Sequence, residues 1–197
     1  MIKKKAETKF TIHSIIAERW SPRVFDPARP VEENKINALM EAARWAPSSN
    51  NEQPWSFILF NEKIPSLLDQ ARECLSRGNS WAKKAPLLIL SVARTHFSEN
   101  GTENRHAFHD VGLATENLLL QSFHLGLISH PMAGFDVHKS VQVFTIPENN
   151  IPVAMIAVGY PGDLDTIPTE LKDRELAPRN RKGFSEFVFN GMWGKSE

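Results

Sequence analysis

The stretch that most constrains the fold is residues 45–55, which read WAPSSNNEQPW. It places a row of small polar side chains between two prolines and two tryptophans. The residues that follow, 57–60 (FILF), are typical of a buried strand. Apolar side chains recur at helical spacing before it, at Ile36, Leu39, Met40 and Ala43. The stretch is therefore predicted to be a shaped polar turn between a helix and a strand.

The rest of the chain interleaves helical patterns with short apolar runs, and the connections between them vary in length. This predicts an α+β, three-layer α-β-α domain with a mostly antiparallel central sheet. A doubly wound parallel fold is the alternative. One domain over residues 1–197 is expected, with residues 1–10 as a mobile tail. The predicted helices begin near residues 12, 33, 64, 105 and 137, and the one from residue 64 ends at residue 77, before a loop at 78–80. The predicted strands are 55–60, 87–92, 127–130 and 151–158.

Composition excludes several classes of function. The 23 Lys and Arg residues balance the 23 Asp and Glu residues, so no global charge recruits nucleic acid or a membrane surface. The single cysteine, Cys74, cannot form an intramolecular disulfide. Because residues 1–10 lack the apolar segment of a signal peptide and no long apolar run follows, a cytoplasmic location is expected.

Motifs for nucleophilic or zinc chemistry are missing from the sequence. It has no G-x-S-x-G, H-E-x-x-H or C-x-x-C pattern. His106, His109 and Asp110 form the best candidate metal set, but a histidine pair at a helix start is usually exposed or hydrogen-bonded. We therefore expect neither a metal nor a catalytic side chain of the hydrolase type.

Two pairs of basic positions indicate local phosphate binding. Arg19, Ser21 and Arg23 alternate along an extended exit from the first helix, so their side chains can point to the same side. Such a trio can hold a phosphate dianion through charge-assisted hydrogen bonds. Arg179 and Arg181 repeat the spacing. Two solvated basic surfaces are the alternative interpretation.

The polar turn could supply the remaining half of a binding site. Hydroxyl and amide groups both donate and accept hydrogen bonds, which suits a flat heteroaromatic ring with carbonyls and ring nitrogens. The turn carries four such side chains, Ser48, Ser49, Asn51 and Gln53. Capping of the turn would explain one serine but explains the full row less well.

These two motifs resemble the FMN-dependent nitroreductase family. Residues 19–23 (RWSPR) match its R-x-S-x-R pattern, and residues 47–55 (PSSNNEQPW) match P-S-S-x-N-x-Q-P-W. The resemblance continues, in order, at residues 85–86, 125–127, 134–136 and 158–161. It implies a homodimer with two FMN sites at the subunit interface, each built from both chains.

The resemblance also implies roles for individual residues. Trp20 replaces the family's common arginine or histidine, and Ala133 stands where several subgroups have a glutamate. Asn79 matches a flavin-contacting asparagine. One subunit would supply the contacts to the phosphate and the ribityl chain, and also the backbone near the ring. Its partner would supply the polar turn. The expected cofactor-binding residues are Arg19, Trp20, Ser21, Arg23, Asn79, Met132, Ala133, Gly134, Arg179 and Arg181 of one subunit, with Pro47, Ser48, Ser49 and Asn51 of the partner subunit.

The implied activity is ping-pong hydride transfer from NADH or NADPH through FMN N5 to a nitroaromatic, quinone or flavin. Flavin destruction, reductive dehalogenation and a non-catalytic flavin- or nucleotide-binding module are the alternatives. Phe97 and Phe108 are candidate substrate contacts, although Phe108 is favoured as a core residue. The apolar tail of residues 184–193 is expected to pack on the neighbouring subunit.

Overall fold

The computed structural model describes residues 2–195 of the chain. Its centre is one four-stranded sheet in the order β1-β2-β4-β3, and every neighbouring pair of strands is antiparallel. The predicted antiparallel sheet is confirmed, and the parallel alternative is wrong. The strands are β1 (Trp55–Phe60), β2 (Leu87–Arg94), β3 (Ile128–Met132) and β4 (Asn150–Gly159).

Helices cover both faces of this sheet. Short 3₁₀ segments at Ser49–Asn51, Arg77–Lys84, Leu164–Thr166 and Phe184–Glu186 complete the backbone. Among the helices that the structure describes, none is long and apolar enough to cross a membrane. The helices are α1 (Ser14–Glu18), α2 (Glu33–Arg44), α3 (Pro65–Cys74), α4 (Ala107–His124), α5 (Val137–Val143) and α6 (Thr169–Leu176).

The alternation of side chains along β2 divides the core into two layers. Leu88 and Leu90 pack with α3 and α5, whereas Leu87 and Ile89 pack with α2 and α4. All four side chains are fully buried. Successive side chains of a strand point to opposite faces, so an unbroken apolar run requires cover on both. The predicted three-layer arrangement is confirmed.

The helix predicted from residue 64 to residue 77 ends three residues earlier, at Cys74. Leu75 takes an extended conformation because it forms a β-bridge with Phe135, and Ser76 N–H donates to Gly134 O at 3.1 Å. The predicted loop at residues 78–80 is part of the 3₁₀ segment Arg77–Lys84. A long-range backbone contact therefore overrides local helical propensity here.

Helix α6 was not predicted. Residues 163–181 read as a charged, proline-containing connection, and the α6 residue most shielded from solvent is Glu175 rather than an apolar side chain. Without a stripe of apolar residues, the sequence gives no amphipathic signal.

The two ends of the described chain lie close to each other. Ala6 N–H donates to Ala17 O at 2.8 Å, and Lys4 Nζ donates to Ala177 O at 2.6 Å. The Phe10 and Phe184 rings stack with centroids 5.8 Å apart. Most of the remaining apolar tail stays exposed, at Phe187, Val188, Met192 and Trp193, and Trp193 is 92% exposed. Packing of this tail on a second subunit remains a prediction.

Candidate functional site

The segment after α1 is extended and sorts its side chains onto two sides. Arg19, Ser21 and Arg23 are half-buried, whereas the intervening Trp20, Pro22 and Val24 are buried and together line a cavity that none of the first three lines. This is the alternation that the sequence predicts. Successive side chains of an extended segment alternate, so the buried side chain of Trp20 lies on the opposite side from the other three predicted ligands in this motif, Arg19, Ser21 and Arg23. Any contact of Trp20 with a ligand on their side would come from its backbone.

The guanidinium groups of Arg19 and Arg23 retain hydrogen-bonding capacity. Arg19 Nε lies 3.6 Å from Glu116 Oε1 on α4, while Arg19 Nη1 is buried and makes no hydrogen bond within residues 2–195. Arg23 Nε is buried and unbonded in the same part of the chain. Arg72 Nε and Arg94 Nε are unbonded as well, but only Arg19 and Arg23 lie on one segment. Their two free donors are available to an anionic ligand.

Arg179 and Arg181 join this basic group from the other end of the chain. Arg179 Nη1 donates to Lys4 O at 2.7 Å and to Ala17 O at 2.8 Å, which ties the C-terminal segment to the end of α1. Burial lowers the pKa of Arg179, and the nearby charges of Arg181 and Arg19 lower it further. The structure thus brings Arg19, Arg179 and Arg181 together. We call Arg19, Ser21, Arg23, Arg179 and Arg181 the basic cradle.

Glu175 of α6 holds the backbone of the cradle segment. Arg23 N–H donates to Oε1 at 3.1 Å and to Oε2 at 3.0 Å, and Arg23 Nη1 lies 3.9 Å from Oε2. The residue is 2% exposed, and burial raises its pKa against the hydrogen bonds and charges that lower it. Sequence reasoning missed Glu175, because a single glutamate in a charged segment carries no distinguishing signal.

His130 of β3 fixes the same segment from the other side. Its Nδ1 donates to Pro22 O at 3.0 Å, and its ring lies 4.6 Å from that of Trp81. Burial, with a smaller contribution from the Arg23 charge, lowers its pKa to about 4 despite the hydrogen bond to Pro22. The imidazole is therefore neutral at pH 7 and can donate without adding charge. Sequence reasoning missed this contact as well.

The polar turn is held in an unusual backbone conformation. Asn50, Asn51 and Gln53 have positive φ values of 53°, 54° and 51°. Asparagine tolerates this region better than most residues, which explains the asparagines but not Gln53. Gln53 N–H donates to Ser48 Oγ at 3.0 Å, so Ser48 partly serves the turn itself.

Asp110 of α4 anchors the turn. Its Oδ2 accepts from Ser49 N–H at 3.0 Å, its Oδ1 lies 3.1 Å from His109 Nδ1, and the residue is 2% exposed. Asn51 is left exposed at the surface of the chain, as is Pro47. Within residues 2–195, no hydrogen bond joins the turn to the basic cradle. The structure therefore brings the members of each group together, and both groups contact α4, the turn at Asp110 and the cradle at Glu116.

Asn79 and Gly134 form a third contact. Asn79 Nδ2 donates to Gly134 O at 2.9 Å. A Cβ at Gly134 would lie 2.6 Å from Asn79 Nδ2 and 2.8 Å from Ser76 Oγ, so a side chain here would displace the Asn79 amide from its present position. Of the two residues before Gly134, Met132 is buried and Ala133 is exposed.

Comparison with known proteins decides the family. A model of the Nitroreductase family matches residues 16–160 of the chain. The chain belongs to the nitroreductase family. The match contains both motifs from which the family was predicted, and that prediction is confirmed.

Similar proteins span most of this nitroreductase-family chain. An uncharacterized 15.4 kDa protein in the ask 5' region of Mycolicibacterium smegmatis is 38% identical over 120 residues, 61% of this chain and 80% of that protein. A putative NADH dehydrogenase/NAD(P)H nitroreductase of Methanothermobacter thermautotrophicus is 28% identical over 162 residues, 79% and 80% of the two chains. A solved oxidoreductase containing FMN superposes with a TM-score of 0.91, at 29% identity and full coverage of both chains.

The two predicted substrate contacts of this nitroreductase-family chain lie at its surface or near it. Phe97 is half-buried, and its backbone closes a small loop by hydrogen bonds with Gly101 and Thr102. Phe108 is 48% exposed, so its favoured assignment to the core was wrong. The neighbouring Ala107 occupies the buried face of α4, and a helix turns about 100° per residue, which carries Phe108 outward.

Proposed function

We propose that the protein is an FMN-dependent oxidoreductase that uses NADH or NADPH to reduce an electron-poor acceptor such as a nitroaromatic, a quinone or a flavin. FMN, when bound, supplies the hydride-transfer chemistry, and the protein supplies binding, orientation and electrostatics. This division agrees with the missing hydrolase motifs. The observation that carries the proposal is the basic cradle with its unbonded, buried guanidinium nitrogens.

The cradle would hold the phosphate end of FMN. Within the cradle, Arg19 Nη1 and Arg23 Nε are buried donors without a bond in residues 2–195, and Arg181 is exposed near Arg179. Arg179 already bonds two carbonyl oxygens, so its contribution would be mainly its charge. Glu175 and His130 act as positioning residues, since they hydrogen-bond to the backbone of residues 22–23 and leave the arginine side chains to contact the phosphate.

Contacts to the ring would come from two places. The amide of Asn79 and the backbone around Gly134 would meet one edge of the ring, with the glycine allowing a close approach. The rest of the flavin ring would contact the turn of a partner subunit, at Pro47, Ser48, Ser49 and Asn51. The exposure of Pro47 and Asn51 and the lack of a hydrogen bond between the turn and the cradle within residues 2–195 support this arrangement.

A homodimer follows from the proposal, and exposed apolar side chains support it. Ile16 on α1 is 50% exposed, Phe108 on α4 is 48% exposed and Met192 in the tail is 63% exposed. Large apolar side chains exposed on three segments are typical of a surface that another protein covers.

Purification and reduction test the proposed function. We expect a yellow protein that releases FMN on denaturation and whose flavin absorbance bleaches under anaerobic NADH or NADPH and returns on addition of menadione or nitrofurazone. A colourless protein that fails to take up added FMN would refute the cofactor. A flavoprotein that neither nicotinamide reduces would support the non-catalytic alternative.

Reductive dehalogenation is a second candidate, favoured by one specific observation. Iodotyrosine deiodinase 1 of Rattus norvegicus is 25% identical over 191 residues, 83% of this chain and 66% of that protein. Anaerobic reoxidation of the reduced enzyme by 3-iodotyrosine, with iodide release, would favour this activity. Reoxidation by quinones without iodide release would favour the first.

A further inference from the structure

A cavity of about 650 Å³ lies on the other side of the Arg23 segment from Trp20 and Pro22. It is bordered by the 3₁₀ segment Arg77–Lys84 and by the start of α6, and it is open to solvent on one side. Its size falls within the range of small-molecule sites, which is roughly 300–1,000 Å³. We call it the basic cavity, because its lining includes Arg77, Lys84 and Arg174.

The floor of the basic cavity is aromatic and apolar. Phe25 and Trp81 stack nearly parallel, with an interplanar angle of 6° and ring centroids 6.2 Å apart, and Leu171 of α6 adds an aliphatic wall. Trp81 is 8% exposed, and its Nε1 makes no hydrogen bond within residues 2–195. A buried indole N–H without an acceptor is unusual, because buried polar groups are normally bonded.

The rim of the cavity carries an excess of positive charge. Arg77, Lys84 and Arg174 are exposed, and none of them lies within 4.0 Å of a carboxylate in the described chain. Arg23 is the fourth cation, but Glu175 partly compensates it at 3.9 Å. Glu170 is the one acidic residue among those lining the cavity. Three uncompensated cations above an apolar floor match a ligand with a flat apolar body and a negative group.

The basic cavity is separate from the groups assigned to FMN. Its lining includes Arg23 but none of the other predicted cofactor-binding residues. Gly78 and Ser80 line it, whereas Asn79 between them turns to Gly134. Arg23 is thus the wall between the two sites.

We propose that the basic cavity is a second ligand site that binds an aromatic carboxylate. The aromatic body would lie on the Phe25 and Trp81 floor, and the carboxylate would meet Lys84, Arg77 and Arg174. Arginine offers a bidentate fork that matches a carboxylate, and an ammonium adds a point charge. The inference does not depend on the proposed reaction, since it uses residues outside the FMN contacts.

Calorimetric titration with 2-naphthoate tests the site, with 2-naphthamide as its uncharged counterpart. We expect 2-naphthoate to bind the FMN-saturated protein about tenfold or more tightly than 2-naphthamide at low salt. Lys84→Gln and Arg174→Gln should each lower the affinity for 2-naphthoate about three- to tenfold. Lys83→Gln is the matched control, because Lys83 is the exposed neighbour of Lys84 and does not line the cavity, and it should change nothing.

The same titrations on protein freed of flavin separate this inference from the proposed function. Binding with equal affinity in the presence and absence of FMN supports a second site, whether or not the protein proves to be an enzyme. Loss of 2-naphthoate binding when FMN is added would place the cavity inside the flavin site and overturn the inference. Equal affinity for the amide, full affinity in both Lys84→Gln and Arg174→Gln, or no binding at millimolar concentration would also overturn it.

Discussion

At the scale of single residues, the unbonded guanidinium of Arg19 leads to the first prediction. Arg19→Ala should raise the dissociation constant of FMN about 10- to 100-fold, because a charge-assisted contact to phosphate contributes about 1.5–3 kcal/mol. Fluorescence titration of the flavin-free protein measures the change. Arg44→Ala is the matched control, since Arg44 is exposed on α2 and paired with Glu41. Equal FMN affinity of Arg19→Ala and the parent would contradict the cradle.

His130 gives the second prediction, which concerns pH. Its pKa is lowered from 6.5 to about 4 in the folded protein, so above pH 6.5 both folded and unfolded states are neutral and its contribution is complete. As the pH falls from 6.5 toward 4, His130 becomes protonated in the unfolded state but not in the folded state. The free energy of unfolding therefore decreases. His130→Asn keeps an amide donor for Pro22 O but does not titrate.

The measurement for His130 is urea unfolding of both proteins at pH 7 and pH 5. The free energy of unfolding of the parent, relative to His130→Asn, should fall by about 2 kcal/mol between these values. Parallel pH dependence of the two proteins would show that His130 is not buried in its neutral form.

At the scale of elements, α6 is attached to the cradle segment through one carboxylate. Glu175→Ala removes both acceptors of Arg23 N–H, which should lower the free energy of unfolding by about 1–3 kcal/mol. The affinity for FMN should also fall about tenfold, because the segment that carries Arg19, Ser21 and Arg23 loses its fixed position. Asp173→Ala, an exposed change on the same helix, is the control. Reduced stability with unchanged FMN affinity would make Glu175 purely structural.

The elements that sequence analysis found are those with an apolar pattern of their own. The apolar runs of β1 and β2 and the helical spacing of α2 and α4 were enough to predict these elements. Each element buries a face made of its own apolar residues. Helix α6 lacks such a face, and its buried residue is Glu175. The end of α3 depends on the pairing of Leu75 with Phe135, a contact 60 residues away that local propensity does not record.

The candidate site divides in the same way. The alternate positions of Arg19, Ser21 and Arg23 follow from extended backbone, so the sequence predicted their common side. The sequence marked Asp110 only as part of a candidate metal set, and it did not mark His130 at all. The tertiary structure brings Asp110 to the turn and His130 to the Arg23 segment. The sequence could propose ligands but not the residues that position them.

At the scale of the whole molecule, the account requires two copies of the chain. The cradle and the turn are not joined by a hydrogen bond within residues 2–195, and exposed apolar side chains occur on α1, α4 and the tail. A closed twofold dimer would use the same surface of each copy and would form two identical sites. Each site would then combine the cradle of one chain with the turn of the other.

Complementation between two defective variants tests this most directly. One variant carries Arg19→Ala and Arg23→Ala, and the other carries Ser48→Ala and Asn51→Ala, so that neither homodimer should retain FMN. Random reassociation of an equal mixture makes half of the dimers mixed, and one of the two sites in each mixed dimer is intact. The account predicts that about a quarter of all sites then bind FMN. An FMN content of the mixture no greater than the mean of the two separate variants would contradict a site built from two chains.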